Sequence, residues 1–494
     1  MTLSIAGMIA GTSLGTISQE IGILSRNISN ASTPGYSARA AQTSTGSDGA
    51  AQVDSITRAT NPALFKSQLQ ATSGGAQSSV IDDGLAQIAQ LLNVDGNGAS
   101  SSPSSFIGKL SSALQLYDAS PANTTVAAGV VTAAKDLAGS LNNATALVQG
   151  VRQNADQKIA TSVTNINSIL SKFEEVNNQI VAGTGKNQDV TDLLDQRDSL
   201  LTQLSSEIGI TTVVRPNNDM MIFTDSGVTL FETTPRSVTF QPNPALSAGV
   251  AGNAVYVDGV QITGQSGFAT TIHSGNLAGL TQLRDNIAPA YQSQLDEIAR
   301  GLVSAFSESD QTGGGAPTLP GLFTYPGATG VPGASVIPGL AGQIQVNANV
   351  DPNRGGDPTR LRDGGISDPT NPAYNYNSSG GSLYTGRIEQ LIASLSSPQS
   401  FDPSAGLGAN VSLTGFATLS DGWLAAQKQQ ADSANTYQQA MLSQSSTALS
   451  NAVGVNLDSQ MAKMLDLENS YQATAKLLAS VNSLYTTLFD AIRP

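Results

Sequence analysis

The chain has no cysteine and only one histidine and one tryptophan among its 494 residues. The lack of cysteine excludes disulfides, iron–sulfur clusters, thiol nucleophiles and cysteine-based zinc sites. Charged residues make up only 12% of the sequence, the formal net charge is −14, and Lys and Arg form no cluster. We therefore expect no binding to nucleic acid or to an anionic membrane surface, because both require concentrated positive charge.

Long hydrophobic runs are also lacking. No stretch approaches the roughly 20 apolar residues that span a bilayer, so we expect no membrane segment. The start of the chain is apolar, but its first basic residue is Arg26, whereas a secretory signal begins with basic residues. The expectation is that any export follows another route, without a cleaved signal peptide.

Each end of the chain carries an apolar stripe at spacings of three and four residues. Such a stripe lets a helix keep one seam against another helix as the two supercoil. The C-terminal stripe is interrupted at Glu468 and Asn482, and a second stripe beside it requires more than one neighbour. The N-terminal stripe is Leu3, Gly7, Ala10, Leu14, Ile17, Ile21, Leu24 and Ile28; the C-terminal stripe is Leu457, Met461, Met464, Tyr471, Ala475, Leu478, Tyr485, Phe489 and Ile492; the second stripe is Leu467, Leu477, Val481, Leu484 and Leu488.

These stripes favour assembly of several subunits, with packing inside one molecule as the alternative. The candidate subunit-packing residues are Leu14, Ile17, Ile21, Leu24, Ile28, Met461, Met464, Tyr471, Leu478, Tyr485 and Phe489.

The local patterns predict helices at both ends and a β segment between them. A helix over 3–30 should stop where Pro34 and Gly35 force a turn, 37–58 should be extended, and 61–205 should be helical. Short strand-like runs then occupy 211–273, where Asp258-Gly259 is a strong signal for a two-residue hairpin turn.

Helix is expected again over 277–308, with Pro289 as a kink, and from Ser382 to the end. Residues 311–381 hold 15 Gly and 9 Pro, so we expect turns or partial disorder there, few buried apolar contacts, and tolerance of shortening.

Together these patterns predict an α+β multidomain protein, with a long terminal α-helical coiled coil, a helical bundle and a small outer β domain. The predicted domains are the terminal coiled coil (1–60 with 440–494), the helical bundle (61–210 with 274–310 and 382–439), the small β domain (211–273) and the Gly/Pro-rich insert (311–381).

Four runs resemble known sequences. Residues 27–37, Asn-Ile-Ser-Asn-Ala-Ser-Thr-Pro-Gly-Tyr-Ser, resemble the N-terminal signature of the bacterial flagellar rod, hook and hook-associated proteins, and 454–476 look like the closing signature of that family. Residues 192–201 and 274–285 are similar to its hook-associated members at the junction of hook and filament. The signature residues are Asn27, Asn30, Thr33, Pro34, Gly35, Tyr36, Asp195, Arg197 and Asp198.

The resemblance implies a structural subunit of the bacterial flagellum that forms the hook–filament junction and is not an enzyme. It implies a homo-oligomeric ring, contacts with the hook protein and the next hook-associated protein, and an export chaperone at the C-terminal helix. It also implies a secreted protein located in the flagellum. The alternatives are another axial protein (hook or rod), a surface-binding or adhesin module on a coiled-coil stalk, and, least favoured, a hydrolase on such a stalk.

Physical roles for the N-terminal signature follow from its residue types. Asn27 and Asn30 are expected to hydrogen-bond the carbonyls of the last helical turn, which lack partners. The Thr33–Gly35 turn should fix one exit direction, and Tyr36 offers a large buried face with a polar tip. The alternative is an ordinary helix stop.

Several possible chemical sites were considered and disfavoured. Asp189, Asp192, Asp195 and Asp198 recur every three residues, with Arg197 as a neutralising neighbour, and we expect a solvated or intersubunit face rather than a metal or acid–base site. Asp351–Asp357 is read as a turn because it lacks the Glu that closes a calcium loop.

The remaining candidates are single residues or short runs. His273 is expected in a loop or cap rather than in a Ser-His-Asp relay. Gly313–Gly315 lacks the Lys of a phosphate loop. Trp423 is expected to pack in a core or between subunits. The sequence thus predicts no catalytic residue, cofactor or metal.

Overall fold

The computed structural model describes residues 3–47, 49–92, 101–264 and 269–492. The helices are α1 (Leu3–Ser29), α2 (Pro62–Leu92), α3 (Pro103–Asp118), α4 (Thr124–Thr184), α5 (Thr191–Glu207), α6 (Asn276–Gln282), α7 (Ala288–Ala305), α8 (Arg360–Asp363), α9 (Gly386–Ser396), α10 (Leu413–Val453) and α11 (Leu457–Ile492). The strands are β1 (Arg39–Thr45), β2 (Ala51–Arg58), β3 (Ile210–Val214), β4 (Met220–Thr224), β5 (Thr229–Phe231), β6 (Val238–Thr239), β7 (Tyr256–Val257), β8 (Val260–Gln261), β9 (Phe323–Thr324), β10 (Gln345–Val346), β11 (Pro398–Ser400) and β12 (Asn410–Ser412). A mainly helical chain with small antiparallel sheets confirms the α+β expectation at this level.

The first and last helices pack against each other. Val481 of α11 is buried, and its Cγ1 lies 3.4 Å from the position that a Cβ on Gly7 would take. Behind this pair, α2 runs along α10, and the amide of Asn435 donates to the Asp82 carboxylate over 3.2 Å. The extended backbone at Gly454 separates α10 from α11. The long helices therefore form two successive pairs, α1 with α11 and α2 with α10.

A β-hairpin lies against α1. β1 and β2 are antiparallel, with Arg39 opposite Arg58 at the open end, which confirms the extended structure expected over 37–58. The hydroxyl of Thr16 donates to the carbonyl of Ala51 over 2.7 Å. Just before β1, the backbone N–H of Ala38 donates to the Val453 carbonyl over 2.8 Å, which ties the hairpin to the end of α10.

The longest helix, α4, contributes to two hydrophobic cores in succession. It has 61 residues and is about 90 Å long at 1.5 Å per residue. Its apolar residues recur at helical spacing along one face, so the N-terminal half lines the first core and the C-terminal half the second. The first core contains Val130, Leu137, Leu141 and Val148 of α4 with residues of α3, α7, α9 and α10. The second contains Ile159, Ile166, Leu170 and Phe173 of α4 with residues of α5, α6 and the strands.

The β segment at 210–262 packs on the second half of α4. Its three-stranded sheets have the orders β3-β4-β5 and β6-β7-β8. Phe231 of β5 meets Phe173 of α4 edge to face, with ring centroids 4.9 Å apart. Asp258 and Gly259 both have positive φ, 47° and 82°, as the predicted hairpin turn requires. The strands thus share a core with the helices, while the division of the chain into four domains stays a prediction.

The kink expected at Pro289 is present as a π-helical turn. Leu283–Ile287 form this turn between α6 and α7, and Pro289 stands in the first turn of α7. Proline has no N–H to donate to the fourth residue before it, so the regular helical ladder is interrupted there.

The expectation that 311–381 contributes few buried apolar contacts is wrong. Its apolar residues enter the first core between turns made by Gly and Pro, and Asp296 of α7 accepts the backbone N–H groups of Gly339 and Ala341 over 2.8 and 2.9 Å. Gly and Pro determine where the chain turns and leave the burial of residues between the turns open. The buried residues of this segment include Leu322, Phe323, Leu340, Ala341, Ile344, Val346, Val350, Leu361 and Ile366.

The continuous helix expected from Ser382 to the end is also wrong in one stretch. After α9, the strands β11 and β12 pair across a loop that contains the Asp402–Gly406 turn, and only then does α10 begin. Pro398 and Pro403 interrupt the helix, and Phe401 is buried between them and stacks on Phe416 at 4.1 Å.

Within the described residues, no helix combines the length and the hydrophobicity needed to cross a membrane.

The burial of the 311–381 segment yields a stability prediction. Phe323→Ala should lower the free energy of unfolding by about 3–5 kcal/mol, because it leaves a cavity beside Phe306, whose ring centroid lies 5.2 Å away. Leu383→Ala is the control: Leu383 is 75% exposed, and its change should stay within about 0.5 kcal/mol. Urea unfolding followed by circular dichroism measures both, and equal effects would contradict the packing described.

The Asp296 contact predicts a pH dependence. Burial raises the pKa of Asp296 from 3.8 to about 6, although the N–H groups of Ala341 and Gly339 act in the opposite direction. The folded state therefore holds the proton more tightly, and the stability this supplies is present below pH 3.8 and is lost as pH rises through about 6. From pH 7.5 to pH 4, the free energy of unfolding of the wild type should gain up to about 2–3 kcal/mol more than that of Asp296→Asn. Urea unfolding of both proteins at both pH values measures this difference. Parallel pH profiles for the two proteins would refute this assignment.

Candidate functional site

The end of α1 is organised around the buried side chain of Asn27. Its amide nitrogen donates to the Arg39 carbonyl over 2.8 Å and to Oε1 of Gln460 over 2.9 Å. Its oxygen accepts the Arg39 backbone N–H over 3.0 Å and the Tyr36 hydroxyl over 2.9 Å. Asn27 therefore binds the strand β1 and the helix α11 rather than the last carbonyls of its own helix, contrary to expectation.

The rest of the N-terminal signature forms the turn that brings β1 back to Asn27. Asn30 does what was expected of it, since its amide donates to the Arg26 carbonyl over 2.9 Å. The Thr33 hydroxyl donates to Asn30 over 3.3 Å. Pro34 follows, and Gly35 has a φ of 80°, which an L side chain would strain.

Tyr36 then places its ring under Arg39 and its hydroxyl on Asn27. The Arg39 guanidinium lies 4.8 Å from the ring centroid, and burial raises the pKa of the Tyr36 hydroxyl. This agrees with the expected buried face and polar tip.

Arg39 and Arg58, at the open end of the hairpin, reach α5. Asp195 binds both: one oxygen lies 3.3 Å from Nη2 of Arg39 and the other 2.8 Å from Nη1 of Arg58. Arg39 also pairs with Asp192, and Arg58 Nη2 pairs with Asp198 over 2.7 Å. The two guanidinium groups thus span three of the four carboxylates that recur every third residue.

The solvated or intersubunit face expected for these carboxylates is wrong for two of them. The side chains of Asp195 and Asp198 are only 13% and 23% exposed, whereas that of Asp192 is 72% exposed. Burial raises the pKa of Asp198, and the neighbouring Arg58 acts in the opposite direction. Asp189, the fourth carboxylate of the repeat, accepts the N–H and the hydroxyl of Thr191 at the start of α5.

Arg197 does not pair directly with the carboxylates beside it, although its charge acts to lower the pKa of Asp198. It is buried on the other side of α5, where it donates to Asn177 of α4 over 3.3 Å and to the Asn218 carbonyl. Burial lowers its pKa to about 10. Arg197 therefore joins α5 to α4 and to the turn before β4.

The interior run 274–285 forms another junction. Asp225, after β4, accepts the Ser274 hydroxyl over 2.9 Å and the N–H of His273. Gly275 has a φ of 93°, and a Cβ there would lie 2.6 Å from the Cα of Ile208, so only glycine fits. This run fixes the start of α6 against α5 and the sheet.

Arg284 is the buried centre of the next contact. Its guanidinium lies 2.6 Å from Asp156 of α4 and 2.7 Å from Asp285, and it donates to the Asn253 carbonyl over 2.7 Å. The backbone carbonyl of Arg284 in turn accepts from Arg152 over 3.0 Å. Arg284 therefore joins α4 to the turn after α6 and to the loop before β7.

The disfavoured chemical candidates occupy structural positions. His273 is exposed, its Nδ1 lies 3.7 Å from Asp225, and Ser274 bonds to that aspartate instead of the imidazole, so the order of a Ser-His-Asp relay is not formed. Asp351 caps a 3-10 turn and pairs with Lys135 over 3.0 Å. Trp423 is half-buried and stacks with Tyr291 at 6.3 Å.

Two further points concern possible ligands and turns. The Gly313–Gly315 run wraps around Asp310, which accepts the N–H of Gly315. Among the described residues, no group of three or more His, Asp or Glu could hold a metal ion.

The candidate packing residues differ in exposure. Those of α1 lie half-buried or buried between α11 and the hairpin, and Met464, Leu478 and Tyr485 of α11 are half-buried. Met461 and Phe489 are 63% and 66% exposed, and Tyr471 is exposed. Val481, placed on the unburied second stripe, is buried against α1, which corrects that placement. Their role in contacts between subunits stays a prediction.

Sequence reasoning missed Gln460, Arg39, Arg58 and Asp225 as members of these junctions. A usable signal existed for the arginines, since two isolated cations near the ends of the predicted extended segment would need carboxylate partners in a chain with few charges. Gln460 gave no such signal, because a glutamine near the start of a polar-faced helix is ordinary.

Comparison with known proteins covers the interior of the chain. Residues 85–321 match the family described as "Flagellar hook-associated protein FlgK helical domain". Both interior runs, 192–201 and 274–285, lie inside the match, so the resemblance to flagellar hook-associated protein 1 (FlgK) is confirmed.

Curated relatives and a solved structure also carry names of flagellar hook proteins. Flagellar hook-associated protein 1 of Salmonella typhimurium strain LT2 is 26% identical over 159 residues, and that of Escherichia coli strain K12 is 25% identical over 162 residues. Each match covers 31% of this chain and 28% of the relative. The flagellar hook junction protein FlgK from Burkholderia pseudomallei aligns at 22% identity with a TM-score of 0.39, covering 52% of this chain and 46% of that one.

The two asparagines of the N-terminal signature provide a matched test of the junction. Asn27→Leu should destabilise the α1–β1 contact by several kcal/mol, because each buried group left unpaired costs about 1–3 kcal/mol. Asn30→Leu removes only local bonds at a partly exposed site and should cost about 1 kcal/mol or less. Hydrogen exchange of the β1 amides measures the difference, and similar exchange in both variants would argue against a special role for Asn27.

Proposed function

We propose that this chain is a structural subunit of the bacterial flagellum that forms the junction between hook and filament. The observation that carries the proposal is the match of residues 85–321 to the FlgK helical domain. The junctions built by the signature residues support it, since their ion pairs and hydrogen bonds are used to join helices and strands. The role proposed is mechanical and not catalytic.

The C-terminal helix supplies the surface for self-assembly. Its apolar residues Leu477, Leu484 and Leu488 remain exposed although α11 packs on α1, and the exposed residues continue to Phe489 and Ile492. Apolar surface in water costs about 25 cal/mol for each Å², so these positions favour burial by neighbouring subunits. A homo-oligomeric ring built on the terminal helices would provide those neighbours.

The remaining parts of the proposal follow from the family resemblance of the sequence. The hook protein would contact one side of the ring and the next hook-associated protein the other. Before assembly, an export chaperone would cover the C-terminal helix, and the chain would then be secreted to the flagellum. In this account the body, with its two cores, sets the distance between the terminal helices and the outer β segment.

Location in the cell tests the proposed role directly. A strain of the source bacterium that lacks the chain should form hooks without attached filaments, and antibody labelling of the complemented strain should mark the hook–filament boundary by electron microscopy. Labelling along the hook, or at the cell surface away from flagella, would favour a hook or rod protein or an adhesin instead.

The exposed face of α11 yields a prediction about assembly. The Leu484→Asp/Leu488→Asp double variant should fold, because both side chains are exposed in the single chain, yet fail to support swimming, because burying an unpaired carboxylate between subunits costs several kcal/mol. Asn482→Asp, at an exposed polar position of the same helix, is the control and should swim. Circular dichroism of the purified chains and swimming of complemented strains are the measurements. A motile double variant would exclude this face from the interface.

A further inference from the structure

We infer that Asn27 and Arg39 form a relay that couples the pairing of the terminal helices to the docking of the hairpin on α5. The inference concerns the single chain and goes beyond the proposed junction role. It rests on one continuous set of contacts, from Gln460 on α11 through Asn27 and Arg39 to Asp192 and Asp195.

The first link joins α11 to the side chain of Asn27. Gln460 of α11 is buried, and its Oε1 accepts from the Asn27 amide nitrogen over 2.9 Å. The same nitrogen donates to the Arg39 carbonyl over 2.8 Å. Because an amide is planar and carries two hydrogens, a partner on one hydrogen fixes the direction of the other. Docking of α11 therefore orients the bond between Asn27 and β1.

The second link passes through a single residue, Arg39. Its backbone N–H and carbonyl are both bound by Asn27, over 3.0 and 2.8 Å. Its side chain is only 2% exposed and pairs with Asp192 and Asp195 of α5. Asn27 holds the backbone of Arg39, and the carboxylates of α5 hold its buried guanidinium, so Arg39 has little freedom to move. A displacement of Asn27 therefore also moves the guanidinium against the carboxylates.

Two other contacts also hold the hairpin in place, and the test must separate their effect from that of the relay. Arg58 binds Asp195 and Asp198 without touching Asn27, so it docks the hairpin but receives nothing directly from α11. The N–H of Ala38 donates to the Val453 carbonyl at the end of α10, a backbone contact that no side-chain change removes. Coupling carried by Arg39 should therefore vanish when its side chain is replaced, although Arg58 and the Ala38 contact remain.

Hydrogen exchange of the full-length chain tests whether a change at Gln460 alters α5. Gln460→Met keeps the length of the side chain and removes the acceptor for Asn27. Exchange of the α5 amides over 191–199 should become about fivefold faster, roughly the factor that one lost hydrogen bond is worth, although the side-chain hydrogen bond of Gln460 goes to Asn27 and not to α5. Gln472→Met, at an exposed glutamine of the same helix, should leave α5 unchanged.

The decisive comparison repeats the Gln460 change in the Arg39→Met background. There, Gln460→Met should no longer alter exchange in α5, whereas in Arg58→Met its effect should persist. An unchanged α5 in Gln460→Met alone, or an equal effect with and without Arg39, would overturn the inference. Exchange of α4 amides in the first core reports whether each variant keeps a folded body.

A disulfide clamp offers a second, independent measurement. The chain has no cysteine, so Gly7→Cys/Val481→Cys creates a single possible pair, at positions where a Cβ on residue 7 lies 3.4 Å from Val481 Cγ1. Oxidation should hold α11 on α1 and slow α5 exchange when Arg39 is present. If oxidation slows α5 equally in the Arg39→Met chain, the coupling travels by another path and the relay is refuted.

Discussion

The side-chain amide of Asn27 is buried with four hydrogen bonds, and the arrangement around the terminal helices depends on it. A planar amide has fixed directions for its donors and acceptors, and at a buried site water does not replace a lost partner. The partners come from β1, from Tyr36 and from Gln460 of α11, which are separated by up to 433 residues along the chain. One side chain therefore requires that the exit turn, the hairpin and the last helix occupy their places together.

The few cations of this acidic chain are used in the same way, as connectors inside the molecule. Guanidinium groups suit this purpose because they have several fixed donors and can bind carboxylates and carbonyls at once. Arg39 joins the hairpin to α5, Arg197 joins α5 to α4, and Arg284 joins α4 to the loop before β7. The buried arginines are Arg39, Arg152, Arg197, Arg284, Arg300, Arg362 and Arg387.

These contacts explain what residues of the segment that matches the family do in the fold. Inside the segment that matches the FlgK helical domain, the run 192–201 contributes the carboxylates that receive Arg39 and Arg58, and the run 274–285 contributes Gly275 and Arg284. Each is placed where two or more elements meet. Gly275 is needed because a Cβ would collide with the backbone before β3, and Arg284 because a buried carboxylate, Asp156, faces it. A body fixed at such points would transmit force between its ends with little internal movement, as the proposed junction requires.

The sequence by itself determined the elements whose cause is local. The 3.5-residue stripe gave α1 and α11, Pro34 and Gly35 ended the first helix, Asp258-Gly259 gave a hairpin turn, and Pro289 marked an interruption. The tertiary structure alone decided which groups meet: that Asn27 serves β1 and Gln460, and that Asp195 and Asp198 are enclosed by arginines from the hairpin. It also decided that the Gly- and Pro-rich segment 311–381 belongs to the first core. Periodicity and turn chemistry act over a few residues, whereas burial and pairing depend on which distant segments are brought together.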